Sequence, residues 1–212
     1  PRCIYAGAQK LPPGHTLTWR RGQSDAPRSR PYWDVRFTLD NPISPADAEA
    51  ELRDRIMESV RLRMIADVPL GAFLSGGVDS SAVVAAMAQL SQEPVRTCAI
   101  GFEDPQFNES AFAQMVADRY QTDHRLEIVG TDDFGLIDVL ARLHDEPFAD
   151  SSAVPTYRVC QMARKHVTVA LSGDGGDESL GGYRRYRLHL GEEKARGALP
   201  LSWRQSVFAP LG

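Results

Sequence analysis

The sequence predicts an α/β protein, built on a doubly wound, mostly parallel sheet with helices on both faces and preceded by a short extended N-terminal segment. Three observations carry this prediction. From residue 41 onward, short apolar runs of strand length alternate with longer stretches of helical periodicity, the pattern of repeated strand-helix-strand crossovers. The run "DVPLGAFLS" is apolar without alternation, as expected of a strand covered on both faces. Two strands run directly into glycine-acid loops, at the carboxyl edge where an open parallel sheet binds its ligands.

The elements follow in order. Residues 1–40 are rich in Pro, Gly and Arg, and "LPPGHTLTWRRG" places a turn at Pro12-Pro13-Gly14 between two short extended pieces. Ser44 as N-cap and Pro45 at the first helical position open a helix whose apolar stripe is Leu52, Ile56, Val60 and Met64. A strand over 67–75 then leads to a helix from Val78 to Leu90. "PVRTCAIGF" is the next strand, Glu109 to Gln121 a helix and "DHRLEIV" a third strand. Helices are expected from Phe134 to His144 and from Ser152 to Lys165, followed by the strand "HVTVALS". Residues 187–212 carry no clear pattern and are expected to be irregular.

Composition narrows the function. A 212-residue chain that is 42% hydrophobic and 25% charged suits one compact domain with a short appendage. The net charge is −4, and basic residues are dispersed apart from Arg20-Arg21 and Arg184-Arg185, so neither nucleic acid nor a membrane surface is the expected partner. Cys3, Cys98 and Cys160 form neither a CxxC pair nor an even framework, which argues against disulfides or structural zinc and for the cytoplasm. Cys98 and Cys160 are expected to be buried, and His124, His144 and His166 to be surface or loop residues, since their spacing is not that of metal ligands. The longest apolar run is far too short to cross a bilayer, and residues 1–20 lack the pattern of a signal peptide.

The chemistry concentrates in "AFLSGGVDSSAVVAAM". Ser75, Gly76 and Gly77 stand between a strand and a helix N-terminus, where unpaired N–H groups and the helix dipole favour an anion. Glycines admit close backbone approach to phosphate oxygens, and the hydroxyls of Ser75, Ser80 and Ser81 add donors. Asp79 conflicts with a phosphate unless a divalent cation such as Mg2+ lies between them. Taken alone, the glycine pair could equally be a tight turn with Asp79 favoured in the first helical turn. A second cluster, "ALSGDGGDESLGGYRRY", follows a later strand and crowds Asp174, Asp177 and Glu178 beside four glycines. Carboxylates so close need a metal or cationic partner, or else full solvation as a surface turn.

SGGxDSS after a strand resembles the pyrophosphatase loop of the PP-loop enzymes, which cleave ATP between its α and β phosphates. The two loops in this order, with "DEPFADSSAVPTY" between them, resemble the synthetase domain of the glutamine-hydrolysing asparagine synthetase family over residues 1 to 186. The resemblance implies an adenine nucleotide alpha hydrolase-like fold. It also implies that residues 1–40 are the tail of a glutaminase domain with its linker, and 41–212 a C-terminally truncated synthetase domain.

The implied reaction adenylates the side-chain carboxylate of aspartate, releases pyrophosphate and lets ammonia displace AMP, with positioning and charge stabilisation as the protein's task. Carried over by residue, Ser75, Gly76, Gly77, Asp79 and Ser80 hold pyrophosphate, and Asp79 with Asp177 binds Mg2+. Leu74, Ile100, Ser172 and Gly173 contact the adenosine part of ATP. Asp174, where many members have Glu, handles the proton lost by ammonia, alongside Asp177 as a catalytic acid. Asp150, Ser151, Ser152, Thr156 and Glu178 are candidates for the acceptor pocket, Ser151-Ser152 equally for a helix cap.

Cys3 is not taken as a glutaminase nucleophile, because the layer that should surround it is absent, so ammonia is expected from a separate N-terminal glutaminase domain. Lys194 is a poor substitute for the family's adenylate-steadying lysine. The chain alone is therefore expected to bind ATP and Mg2+ weakly and to lack turnover. A related amidotransferase with another carboxylate acceptor, and a non-catalytic nucleotide-binding module, are the competing readings. A homodimer is left open.

Overall fold

The computed structural model describes residues 3–23, 25, 27–36, 42–106, 108–130 and 134–198. The chain divides into two units: Pro1–Arg53 with Asp132–Val154, and Asp54–Thr131 with Pro155–Gly212. The boundary expected between residues 40 and 41 lies outside the described residues.

In the first unit, β1 (His15–Leu17) pairs antiparallel with β2 (Ser29–Pro31), His15 opposite Pro31. The expected turn falls at residues 13–14, directly before β1, and Gly14 also holds the open end of the paired strands. The reason lies in the glycine's bonds. Its carbonyl accepts from the N–H groups of Tyr32 at 2.8 Å and Trp33 at 3.3 Å, and its φ of +66° with Trp33 backbone against its open side excludes a Cβ. Gly14 thus clasps the far end of the ribbon. The helix α1 (Pro45–Arg63) begins as predicted: the Ser44 hydroxyl accepts from the Asp47 N–H at 3.1 Å and donates to the Asp47 carboxylate at 2.6 Å. A 3-10 turn (Phe134–Leu136) leads into α4 (Ile137–Leu143), followed by His144 stacked on Phe148 at 4.2 Å between ring centroids.

The second unit is a parallel four-stranded sheet in the order β5-β4-β3-β6. Its strands are β3 (Leu70–Phe73), β4 (Arg96–Phe102), β5 (Asp123–Val129) and β6 (Val169–Leu171). The crossovers run through α2 (Val78–Leu90) and α3 (Ser110–Tyr120). The return to β6 runs through α5 (Ala153–Ala163).

The period-two alternation of the central strands sorts their side chains into two cores. Ala72, Leu74 and Ala99 pack with Val60 of α1, Val84 and Met87 of α2 and Ala113 and Ala117 of α3. Phe73, Cys98 and Ile100 face the other way, onto Val159, Met162 and Ala163 of α5 and the nearby Val167. Helices therefore cover both faces, and the central strands need no polar side, which is why "DVPLGAFLS" shows no alternation. Val84 and Ala72 are completely buried in this layer, and Leu74 and Met87 nearly so, which stabilises it through the apolar area removed from water.

Beyond β6 come α6 (Gly176–Leu180) and α7 (Arg184–Gly197). The helix α7 corrects the expectation that the chain is irregular from residue 187. Glu192 and Arg196 pair at 2.6 Å one turn apart, and Lys194 and Arg196 stand in the last turn, where the helix dipole favours cations. No helix among the described residues is long and apolar enough to cross a membrane.

Two other expectations are corrected. Cys160 is exposed, because it lies on the solvent side of α5, whereas Cys98 is buried as expected. His124 is part of β5 and half-buried, its Nδ1 2.8 Å from the Thr97 hydroxyl, which in turn lies 2.8 Å from the hydroxyl of Thr122. Burial holds the His124 pKa below its ordinary value of 6.5, opposed by the weaker attraction of the Asp118 carboxylate.

Because the folded pKa is depressed, the unfolded chain binds the extra proton first as pH falls. Stability is expected to be full above pH 6.5 and to decline below it, toward the lower folded value. Urea denaturation at stepped pH values should show this slope in the wild type and a flatter one in His124→Gln.

Candidate functional site

The strand order locates the site. From β3 the sheet grows through β4 to β5 on one side, and the chain then returns to place β6 on the other side of β3. Winding direction reverses between β3 and β6, the place where an open parallel sheet forms a crevice at its carboxyl edge.

The loop after β3 is held by its own hydroxyls. The Ser80 hydroxyl accepts from the Ser75 N–H at 3.3 Å and donates to the Gly77 carbonyl at 3.2 Å, while the Ser75 hydroxyl accepts from the Gly77 N–H at 3.2 Å. The two hydroxyls meet at 3.0 Å. Ser80 is 8% exposed, so its side chain braces the loop instead of standing free as a phosphate donor. The N–H groups left over belong to the first turn of α2, whose N-cap Gly77 makes no side-chain capping bond.

The two glycines have different tasks. Gly76 has φ +83°, and a Cβ there would lie 2.5 Å from the Ala113 nitrogen, so this glycine lets the loop close onto the head of α3. At Gly77 a Cβ would meet only the Ser75 hydroxyl, at 3.3 Å, which leaves that face of the loop open.

The loop after β6 docks onto the first. A Cβ on Gly173 would fall 2.6 Å from the Ser80 nitrogen, and one on Gly176 would overlap the Asp79 carboxylate. Gly175 turns the chain with φ +93°. The Ser172 hydroxyl donates to Asp174 at 2.9 Å and fixes that carboxylate near the strand end.

Together the loops enclose a cavity of about 1100 Å³ within the second unit. Leu74, Ser75, Gly77, Asp79 and Ser80 line it from the first loop, and Ser172, Gly173, Asp174, Asp177 and Glu178 from the second. Ile100 from β4 and Thr156 from α5 complete the residues singled out from the sequence. Leu74 is 1% exposed with its side chain in the core, so only its backbone faces the cavity. Gly76 is not part of the wall and acts from behind it.

Asp150, Ser151 and Ser152 belong to the first unit. There the Asp150 carboxylate, held below its usual pKa by the backbone and hydroxyl hydrogens of Ser152, accepts the Ser152 N–H at 2.8 Å ahead of α5. Ser152 is the residue directly before α5, and Asp150 holds its backbone N–H there.

Sequence reasoning missed Glu109, Phe102 and Tyr183, which also line the cavity. Tyr183 stands in the quoted "GGYRRY", yet its role depends on a fold-back that spacing does not encode. Its hydroxyl donates to Glu178 at 2.5 Å, and the Arg185 guanidinium lies 4.3 Å over its ring. The hydroxyl and, to a lesser degree, Arg185 keep the Glu178 carboxyl below its usual range, and the Tyr183 phenol is raised in return.

Among the described residues no set of three or more His, Cys, Asp or Glu side chains converges as a metal cage. Two carboxylates from different loops fit Mg2+, which commonly takes one or two protein carboxylates and completes its shell with phosphate oxygens and water.

A parallel α/β sheet with two interlocked glycine-acid loops at its reversal point defines the class of site. The profile of the asparagine synthase family matches residues 51–210, and the chain belongs to that family. It is 48% identical over 186 residues to a putative glutamine-hydrolysing asparagine synthetase of Methanocaldococcus jannaschii, covering 86% of this chain and 35% of that protein. Asparagine synthetase 1 of Bacillus subtilis is 34% identical over 195 residues, covering 90% and 30%. The amidase chyE of Penicillium rubens is 28% identical over 234 residues, covering 98% and 34%. The chain thus spans about a third of the length of these relatives.

Gly76→Ala, which combines positive φ with a backbone clash, is expected to lower unfolding free energy by about 1–3 kcal/mol. Gly77→Ala should stay within about 0.5 kcal/mol of wild type, as for an unstrained surface change. Chemical denaturation of both variants provides the comparison.

Proposed function

We propose that this protein takes part in ATP-dependent asparagine synthesis, as the unit that activates the side-chain carboxylate of aspartate. The carboxylate oxygen attacks the α-phosphorus of ATP, pyrophosphate leaves, and ammonia then attacks the acyl carbon and displaces AMP. The observation that carries this reading is the interlock of the two glycine-acid loops over one cavity, with Asp79 and Asp177 both on its wall.

In this reading the open face at Gly77 and the first-turn N–H groups of α2 receive the departing pyrophosphate, with the positive helix end opposing its charge. Asp79 and Asp177 would hold Mg2+, which would neutralise phosphate charge and favour pyrophosphate as a leaving group. Leu74, Ile100, Ser172 and Gly173 receive the nucleoside. Asp174, fixed by Ser172, takes the proton that ammonia loses on attack. Thr156 and Glu178 face the acceptor.

The ammonia comes from glutamine through a glutaminase outside these 212 residues, as the names of the longer relatives imply. A cytoplasmic location suits three free cysteines. A second acceptor class is favoured by one observation: the chain is also similar to an enzyme named an amidase. Pyrophosphate release by the full-length protein, measured across a panel of carboxylates, separates the two, with aspartate expected to give the highest rate.

Isothermal titration calorimetry tests the metal assignment. Wild type should bind ATP more tightly with Mg2+ than without, and Asp79→Asn and Asp177→Asn should each remove at least about tenfold of that gain, the worth of one charge-assisted contact. Unchanged magnesium dependence in both variants would remove the basis for the reading.

A further inference from the structure

The acids on the cavity wall fall into two groups by origin. Asp79, Asp174, Asp177 and Glu178 arrive on the loops after β3 and β6, whereas Glu109 arrives alone, from the far side of β4. Local geometry fixes the backbone around it. A Cβ on Gly101 would lie 3.0 Å from the Asn108 amide oxygen and 3.2 Å from the Ser110 Cβ, so the absence of a side chain lets this segment close over the end of β4. The Asn108 amide oxygen is engaged by the Ser110 N–H at 3.0 Å, and the Glu109 carbonyl caps α3 by accepting from Phe112 at 3.0 Å and Ala113 at 3.2 Å.

The backbone of Glu109 is thus committed, and the residue, exposed to solvent, lines the cavity with Ile100 and Phe102. Among the described residues its carboxylate makes no hydrogen bond or ion pair. An ionised carboxylate only accepts hydrogen bonds, so its complement is a group that offers donors.

We propose that Glu109 is the ribose-recognition residue of this site, accepting hydrogen bonds from the 2′- and 3′-hydroxyls of the bound nucleotide. The assignment rests on the ATP reading above and deepens it. In that reading the phosphates are drawn to the N-terminal end of α2, at the tips of β3 and β6, where Asp79 and Asp177 would hold a cation. The sugar then falls toward the neighbouring strand tip, where a lone carboxylate repels phosphate and accepts a vicinal diol. An acid at the strand next to a glycine-rich phosphate loop serves the same purpose in dinucleotide-binding folds, by the same charge logic. Gly76 strengthens the placement, because its missing side chain packs the head of α3 directly against the phosphate loop and so fixes the distance between sugar and phosphate subsites.

The experiment is calorimetry of Mg2+ with ATP, 2′-deoxy-ATP, 3′-deoxy-ATP and pyrophosphate, on wild type and Glu109→Gln, with thermal melting to verify the fold. Wild type should bind each deoxynucleotide about five- to tenfold more weakly than ATP, a hydrogen bond to a charged but partly solvated acceptor. Glu109→Gln should bring ATP down to the level of the deoxynucleotides and leave pyrophosphate unchanged. ATP binding with no preference for the diol, or a preference that survives Glu109→Gln, overturns the ribose assignment and leaves the ATP reading standing. No binding of ATP by the folded wild type overturns both.

Discussion

The contact on which the site depends is the packing of the second glycine-acid loop onto the first turn of α2. Gly173 rests against the Ser80 nitrogen and Gly176 against the Asp79 carboxylate, at separations that exclude any side chain. That contact is available because winding reverses between β3 and β6, which makes the carboxyl ends of the two strands neighbours. One parallel pairing, Leu70 opposite Val169, therefore sets the distance between residues about a hundred apart in sequence.

The electrostatic character of the cavity follows from this interlock. Asp79, Asp174, Asp177 and Glu178 face one space while the N-terminal end of α2 provides the opposing positive field. The wall divides the labour among its acids. Glu178 is tied to Tyr183 and backed by Arg185, Asp174 is tied to Ser172, and Asp79 lies against backbone that carries no side chain. Three of the four carboxylates are thus restrained, each by a different neighbour.

Much of this was legible in the residues. Continuous apolar runs marked strands covered on both faces, Ser44 and Pro45 marked a helix start, and the two glycine-acid loops were recognisable because phosphate chemistry requires those residue types next to one another. What escaped was non-local. Gly14 was legible as part of a turn, but its bonds to the backbone of Tyr32 and Trp33 were not. Ser80 looked like a free hydroxyl, but Ser75 and Gly77 consume it. Residues 187–197 looked irregular, because the ion pair between Glu192 and Arg196 is a weak signal in an otherwise polar run. Glu109 and Tyr183 carried no motif that distinguished them from solvated surface residues.

The sequence by itself determined the class of the chain and the chemistry of its loops, since backbone freedom at glycine, donor groups at a helix start and carboxylate charge are properties of residues close together along the chain. Tertiary structure alone decided which of those groups face one another. Whether a glycine admits a ligand, as Gly77 does, or a neighbouring helix, as Gly76 does, depends on what fills the place of the missing Cβ, and that is set by packing between elements that the chain order leaves far apart.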